Sequence, residues 1–183
     1  MRVITGSRRG RKLKTLDSFD TRPTTEMVKE AVFSAIQFDI PGANVLDLFA
    51  GSGQMGIEAL SRDASHCVFV DSNPAAAEIV RANVAACEFT DKSNVFMRDS
   101  IDYLIKTKGG FDIVFLDPPY GSGLIEKSLD HLDGKLNAGA FVVCEHEKEL
   151  GLPDEWGSLK LHKRYRYGKI SVTVYQLPEE EEA

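Results

Sequence analysis

The 183-residue chain is long enough to bury roughly two thirds of its unfolded surface in one core, so it needs no disulfide framework or structural metal. Hydrophobic residues make up 43% of it, in short runs broken by a charge or a glycine, which excludes a membrane-spanning helix. The net charge of −6 misleads about partners: four of those charges are Glu179 to Glu182, whereas Arg2, Arg8, Arg9, Arg11, Lys12 and Lys14 precede the first acid, Asp17.

Residues 1–20 read as a basic β-hairpin extension, with Arg2 to Leu16 folded back around the turn glycines Gly6 and Gly10. Met1-Arg2-Val3-Ile4-Thr5 lacks the apolar core of a secretory signal, so a cytoplasmic protein without membrane contact is expected. Arg22-Pro23-Thr24-Thr25-Glu26 then opens a helix whose apolar stripe is Met27, Val28, Ala31, Val32, Ala35 and Ile36.

Residues 21–178 read as one α/β domain. Strands are expected at Asn44 to Ala50, His66 to Asp71, Asn94 to Asp99, Phe111 to Asp117 and Ala140 to Glu145. Helices alternate with them at Gly56 to Arg62, after the Asn73-Pro74 start signal, at Ser100 to Lys108 and at Leu124 to Leu132. This alternation predicts a doubly wound, mostly parallel sheet. Beyond Trp156, Leu159 to Tyr167 and Lys169 to Leu177 flank Gly168 as a C-terminal antiparallel hairpin. Residues 179–183 form an acidic tail expected to be disordered.

Ligands of such sheets bind beyond the carboxyl ends of the strands, and four of the five predicted strands end acidic. The first leads into Gly51-x-Gly53-x-x-Gly56, which taken alone suits a nicotinamide dinucleotide as well as any other nucleotide cofactor. Asp47, four residues before Gly51, would repel a pyrophosphate. S-adenosylmethionine instead brings a sulfonium and an ammonium that a carboxylate attracts. Asp71, with Ser72 beside it, can accept from ribose hydroxyls, and Asp99 with Ser100 can meet the adenine edge; the structural alternative for each is a helix N-cap.

The fourth strand runs into Asp117-Pro118-Pro119-Tyr120. Two prolines stiffen the turn and remove two backbone donors, so it offers acceptors in a rigid frame. Asp117 and the Pro118 carbonyl can hold the two hydrogens of a planar exocyclic amine while Tyr120 stacks on its base, leaving the nitrogen lone pair toward a methyl donor. A strand-ending turn is the bland reading of the same residues.

His146 has no second histidine at metal-binding spacing and reads as a surface or polar-rim residue, and no metal is expected. Cys67, Cys87 and Cys144 show no CxxC spacing and read as small buried hydrophobes. Neither a GxSxG elbow nor a GxxxxGK[ST] loop is present. Arg8, Arg9, Arg11 and Lys12 can meet phosphates without reading sequence, and so can Lys163, Arg164 and Arg166 in a second acid-free block with Lys160 and Lys169.

Four segments, RVITGSRRGRKL, TRPTTEMVKEAVF, VLDLFAGSGQMGIEALSR and FDIVFLDPPY, together resemble the RsmD family of bacterial 16S ribosomal RNA guanine-N2 methyltransferases, with the likeness running from about residue 2 to residue 177. The resemblance implies a Rossmann-like class I methyltransferase core using S-adenosyl-L-methionine and, as partner, 16S rRNA in the 30S subunit or an assembly intermediate, with the enzyme expected to be a monomer. It places Asp117, Pro118 and Tyr120 at the target base. Asp47, Phe49, Gly51, Gly53, Asp71, Ser72, Asp99 and Ser100 would hold the cofactor, and Arg22 and Thr24 would lie near the pocket mouth. Many relatives carry Phe where Tyr120 stands, which keeps the stacking face. Three other readings remain open to the sequence: an amino-methyltransferase for adenine N6 or another amine, an NAD-dependent oxidoreductase, and a non-catalytic RNA-binding assembly factor.

Overall fold

The computed structural model describes residues 1–16 and 23–179, with the side chains of residues 23–25 left out of the description. Five parallel strands, β1 (Asn44–Asp47), β2 (His66–Asp71), β3 (Ser93–Met97), β4 (Phe111–Leu116) and β5 (Leu136–Glu147), continue through antiparallel β8 (Ile170–Gln176), β7 (Leu159–Tyr167) and β6 (Glu155–Trp156). The order is β3-β2-β1-β4-β5-β8-β7-β6, so strand order reverses between β1 and β4. That is where a crevice opens in a doubly wound sheet.

Alternation along the strands separates two apolar layers. Val45, Cys67, Phe69, Ile113, Phe115, Phe141, Val143, Val172 and Val174 face one side, covered by α1 (Pro23–Ala35), α2 (Gln54–Ser61) and α3 (Pro74–Ala86) through Val32, Phe33, Ile57, Leu60, Val80 and Val84. Leu46, Val70, Val114, Leu116, Val142, Cys144 and Tyr175 face the other, under α4 (Ser100–Lys106) and α5 (Leu124–Asp130) through Tyr103, Leu104, Ile125 and Leu129. At about 1.5–3 kcal/mol for each fully buried large aliphatic or aromatic side chain, these two layers dominate the stability of the fold. All three cysteines are buried free thiols.

Several expected boundaries shift for identifiable reasons. The first strand ends at Asp47 and not Ala50, because the chain leaves the ladder to make the glycine turn, and α2 begins at Gln54 behind a left-handed Gly53 (φ 79°). The third strand stops at Met97 because Asp99 caps α4, its Oδ1 accepting from the amides of Ile101 and Asp102 at 2.9 Å each. The fifth extends back to Leu136 and on to Glu147, and the short β6 was not anticipated. Met27, placed in the α1 stripe, is 58% exposed, and Ile36 lies just past the helix end but is fully buried.

The N-terminal segment is not a regular hairpin. A single antiparallel bridge, Arg2 to Lys12, closes a compact arm, supported by Val3 N–H to Arg11 O at 2.9 Å and Gly10 N–H to Val3 O at 2.8 Å. The arm is bolted to the core through buried Glu58, which accepts from the Ile4 and Thr5 amides at 2.8 and 2.9 Å and pairs with Lys29 and Arg62 at 3.0 Å each. Gly6 (φ 87°) lies so close to α2 that a Cβ there would sit 1.7 Å from the Ser61 carbonyl oxygen, and the Ser7 amide donates to that same oxygen at 2.8 Å. Asn83 closes the docking surface, bonding both the amide and the carbonyl of Lys14. Among the described residues, no helix is long and apolar enough to cross a membrane.

Candidate methyl-transfer site

The β1–β4 crevice gathers carboxylates from adjacent strands. Asp47 ends β1 and is 3% exposed; its Oδ2 accepts the Gly56 amide, at the start of α2, at 3.0 Å. Asp71 ends β2, with Oδ2 accepting from Gly51 N at 2.8 Å and Oδ1 from Asn73 N at 2.9 Å, so it fastens the glycine turn to the second strand. A Cβ on Gly51 (φ 56°) would meet nothing within 4 Å, so the turn faces open space. Gly53 is packed against Phe69 and Val80. Phe49 is partly buried against the second apolar layer, Ser72 is exposed, and Ser100 is buried beside the Asp99 cap.

From β4, Leu116 pairs with Cys144 of β5, and continuing this parallel register by one residue sets Asp117 beside Glu145. Asp117 and Tyr120 open onto the crevice, Tyr120 being 51% exposed, and Pro118 is buried beneath them. Two residues further along β5, Glu147 Oε1 accepts the Gly121 amide at 3.0 Å and ties the proline turn to the sheet.

Electrostatically, this is an acid cluster with no paired cation among the described residues. The ion pairs among the described residues all lie elsewhere, and none involves Asp47, Asp71, Asp117 or Glu145. Burial, opposed by the Gly56 hydrogen bond and reinforced by the Asp71 charge, pushes Asp47 up to about 7. Loss of solvent around Asp117, then the charges of Glu145 and Asp47, hold it well above the usual carboxylate range, even though its side chain opens onto the crevice. Glu145 is raised by burial, and Tyr120 is pushed up to about 12 by burial and then by Glu145, Asp117 and Glu147. Such a group of acids favours a ligand carrying positive charge, and disfavours the pyrophosphate of a dinucleotide.

The structure thus brings Asp47, Asp71, Asp117 and Tyr120 to one crevice. Glu145 and Glu147, which the sequence reading did not single out, stand there too. The spacing of two between them along β5, which puts both on one sheet face, was the signal that could have found them. His146, between them, is buried and not on the surface: it is 2% exposed, with Nε2 2.9 Å from Thr173 Oγ1 and Nδ1 2.8 Å from the Glu147 carbonyl. Burial holds it below the ordinary histidine range, and it belongs to the β5–β8 packing.

The basic residues divide. Arg8 is tied inward, donating from Nε to Cys87 O at 2.7 Å, pairing with Glu88 at 3.0 Å and lying over the Phe89 ring. Arg9, Arg11 and Lys12 are exposed, with Ser7, Arg8, Arg9, Arg11 and Glu88 lining an open depression of about 340 Å³. Arg164 is likewise committed, to the Leu152 carbonyl at 2.7 Å and Asp154 at 3.2 Å, while Lys163 and Arg166 are exposed. Arg22 lies outside the described residues, and of Thr24 only the backbone, in the first turn of α1, is described.

Known proteins share both sequence and fold. The profile of the family described as Conserved hypothetical protein 95 matches residues 1–176. "Putative rRNA methyltransferase YlbH" of Bacillus subtilis is 40% identical over 181 residues, covering 96% of this chain and 98% of that one. "Ribosomal RNA small subunit methyltransferase D" of Escherichia coli is 35% identical over 178 residues, covering 96% and 89%. Among solved structures, "Putative methyltransferase yhhF from Escherichia coli" superposes with a TM-score of 0.88 at 33% identity, covering 98% of this chain and 99% of that one.

Proposed function

This chain belongs to the RsmD family of ribosomal RNA small-subunit methyltransferases, and from that premise we propose that it transfers a methyl group from S-adenosyl-L-methionine to the exocyclic N2 amine of a guanine in 16S rRNA, within the small ribosomal subunit or an assembly intermediate. The observation that carries the chemistry is the set of carboxylates at the strand-order reversal, unpaired with any cation among the described residues, next to a turn stiffened by Pro118 and Pro119.

The residues present fit the cofactor. Asp47 and the open Gly51 turn suit a positively charged amino-acid moiety, Asp71 keeps lone pairs for ribose hydroxyls, and Asp99 Oδ2 is left over from the α4 cap. When bound, the cofactor supplies an electrophilic methyl on a sulfonium sulfur.

The chain's part is to orient the acceptor. Asp117 and the Pro118 carbonyl take the two amine hydrogens, Tyr120 covers the base, and the nitrogen lone pair is left facing the methyl. As the N–C bond forms and the methyl–sulfur bond breaks, positive charge passes from sulfur to nitrogen and the sulfur is left as a neutral thioether. The preorganised Asp117 carboxylate stabilises that charge, with Glu145 adding to the negative field. The methylated nitrogen then gives its proton to water at the open crevice, so Asp117 need not be a strong base. Arg9, Arg11 and Lys12 supply sequence-independent phosphate contacts.

Unmodified small subunits incubated with enzyme and methyl-labelled cofactor will acquire label in one guanine as its N2-methyl derivative. Asp117→Ala will abolish the label while leaving cofactor affinity within a few-fold. Label confined to adenine, or full activity in Asp117→Ala, would overturn the assignment.

A further inference from the structure

The outer part of the sheet carries an aromatic column that the transfer chemistry does not use. Across the ladder, Glu145 of β5 pairs with Val172 of β8, which pairs with Tyr165 of β7; one row nearer the loops, Glu147 pairs with Ile170, and Ile170 with Tyr167. Tyr165 and Tyr167 therefore point to the same face as Glu145 and, by the same register, Asp117. With strands about 4.8 Å apart, Tyr165 stands about 10 Å from Glu145 and about 14 Å from Asp117.

The two rings are near-parallel, 16° apart with centroids at 6.4 Å, and Lys163 Nζ lies 5.2 Å from the Tyr165 centroid. Lys163, Tyr165 and Tyr167 thus form a stack rising along β7 toward the loop edge where Gly121 and Glu147 meet. Among the described residues, no further ring stacks on Tyr167, and both tyrosines keep part of their surface in solvent. The surroundings are basic: Lys160, Lys163, Arg166 and Lys169 are exposed, and no acid occurs between Glu155 and Glu179.

We infer that the Lys163–Tyr165–Tyr167 column is a stacking platform for an unpaired nucleobase next to the target guanine on the same RNA strand, with Lys163 and Lys169 on its phosphates. Flat apolar faces beside lysines, on the acceptor side of the sheet and within the reach of adjacent nucleotides, are what single-stranded RNA recognition requires. A base on Tyr167 continues the existing stack, and it holds the strand so that the next base can be turned into the Asp117 crevice. This rests on the RNA-methylation reading above.

The test measures KM for unmodified small subunits, with kcat read separately. Tyr165→Leu/Tyr167→Leu keeps apolar contact with the core but removes the flat faces, and KM will rise on the order of ten-fold with kcat within about two-fold. Tyr165→Phe/Tyr167→Phe will restore wild-type KM. Lys163→Met will lower the slope of log affinity against log salt by about one. Thermal melting and cofactor calorimetry check folding; should the Leu pair not fold, the Lys163 slope and the Phe pair decide. A Leu pair with wild-type KM, a Phe pair as weak as the Leu pair, or an unchanged slope for Lys163→Met overturns the platform. Wild-type protein that methylates no small subunit would instead sink the functional reading itself.

Discussion

Cofactor binding is predicted to be linked to a proton on Asp47. This carboxyl is 3% exposed, has the Gly56 amide as its one hydrogen-bond partner among the described residues, and is held at about 7. A cation placed beside it selects the ionised form, so below that pKa each pH unit costs about ten-fold in affinity. At pH 5.5 about one molecule in thirty carries the ionised Asp47. Affinity for S-adenosylmethionine should therefore be about 30-fold lower there than at pH 8.5, about 2 kcal/mol. Calorimetry across this range, in buffers of different ionisation enthalpy, should also find close to one proton released per cofactor at pH 6. Asp47→Asn keeps the shape and removes the linkage, so its affinity will be weaker at pH 8.5 and flat with pH. The same shift fixes the sign for stability. Because the folded-state pKa is raised, the native protein holds a proton that the unfolded chain gives up between the usual carboxylate range and about 7, so stability without ligand falls as pH rises through that window. Asp47→Asn should accordingly raise the melting temperature of the ligand-free protein at pH 8 while weakening its cofactor binding. Wild-type affinity that changes less than three-fold over the range, or an Asn variant that keeps the slope, would refute the reasoning.

Glu145 and Glu58 give contrasting tests. Glu145→Gln removes a charge that raises Asp117, so the acid limb of the kcat–pH profile should move to lower pH; an unmoved limb would take Glu145 out of the site. Glu58→Gln leaves Lys29, 3% exposed, without its buried counter-charge, and urea unfolding should show a loss of about 3–5 kcal/mol. A loss under about 1 kcal/mol would mean the N-terminal arm is not held by this network.

The parallel core was legible because its signals are local and agree: apolar runs between turn glycines, Asn73-Pro74 starting α3, Asp99 starting α4. The glycine turn and the Asp117 turn were legible for the same reason, since each is one contiguous stretch. What escaped was whatever depends on a partner far along the chain. Arg8 and Arg164 read as free cations until the fold supplied Cys87 and Glu88 to one and Leu152 and Asp154 to the other. The arm read as a hairpin because its glycines are turn-like, but its regularity is given up to docking on Glu58, Ser61 and Asn83. The Lys163–Tyr165–Tyr167 stack sits in plain alternation along β7, yet its bearing on the site follows only from the register through β8 to β5.

Two buried acids show what the fold adds to the reading of a residue type. Glu58 and Asp47 are equally hidden, at 0% and 3% exposure; the glycine turn that follows Asp47 marks it in the sequence, whereas nothing beside Glu58 announces a buried carboxylate. The difference lies in what surrounds each. Burial raises Glu58, but Lys29, the Ile4 amide and Arg62 outweigh it, and the net shift is downward; the group is satisfied within the protein and can accept nothing more without losing something. Asp47 has one amide and two acidic neighbours, Asp71 and Asp117, and its shift is upward. A buried carboxylate that meets no counter-charge among the described residues is a place for a cation from outside, and the raised pKa makes the ligand-free molecule less stable at neutral pH. Of the two, therefore, only Asp47 can convert its burial into affinity for a positively charged ligand, and an acidic crevice beside a stiffened acceptor turn is the place where a sulfonium methyl donor gains most from it.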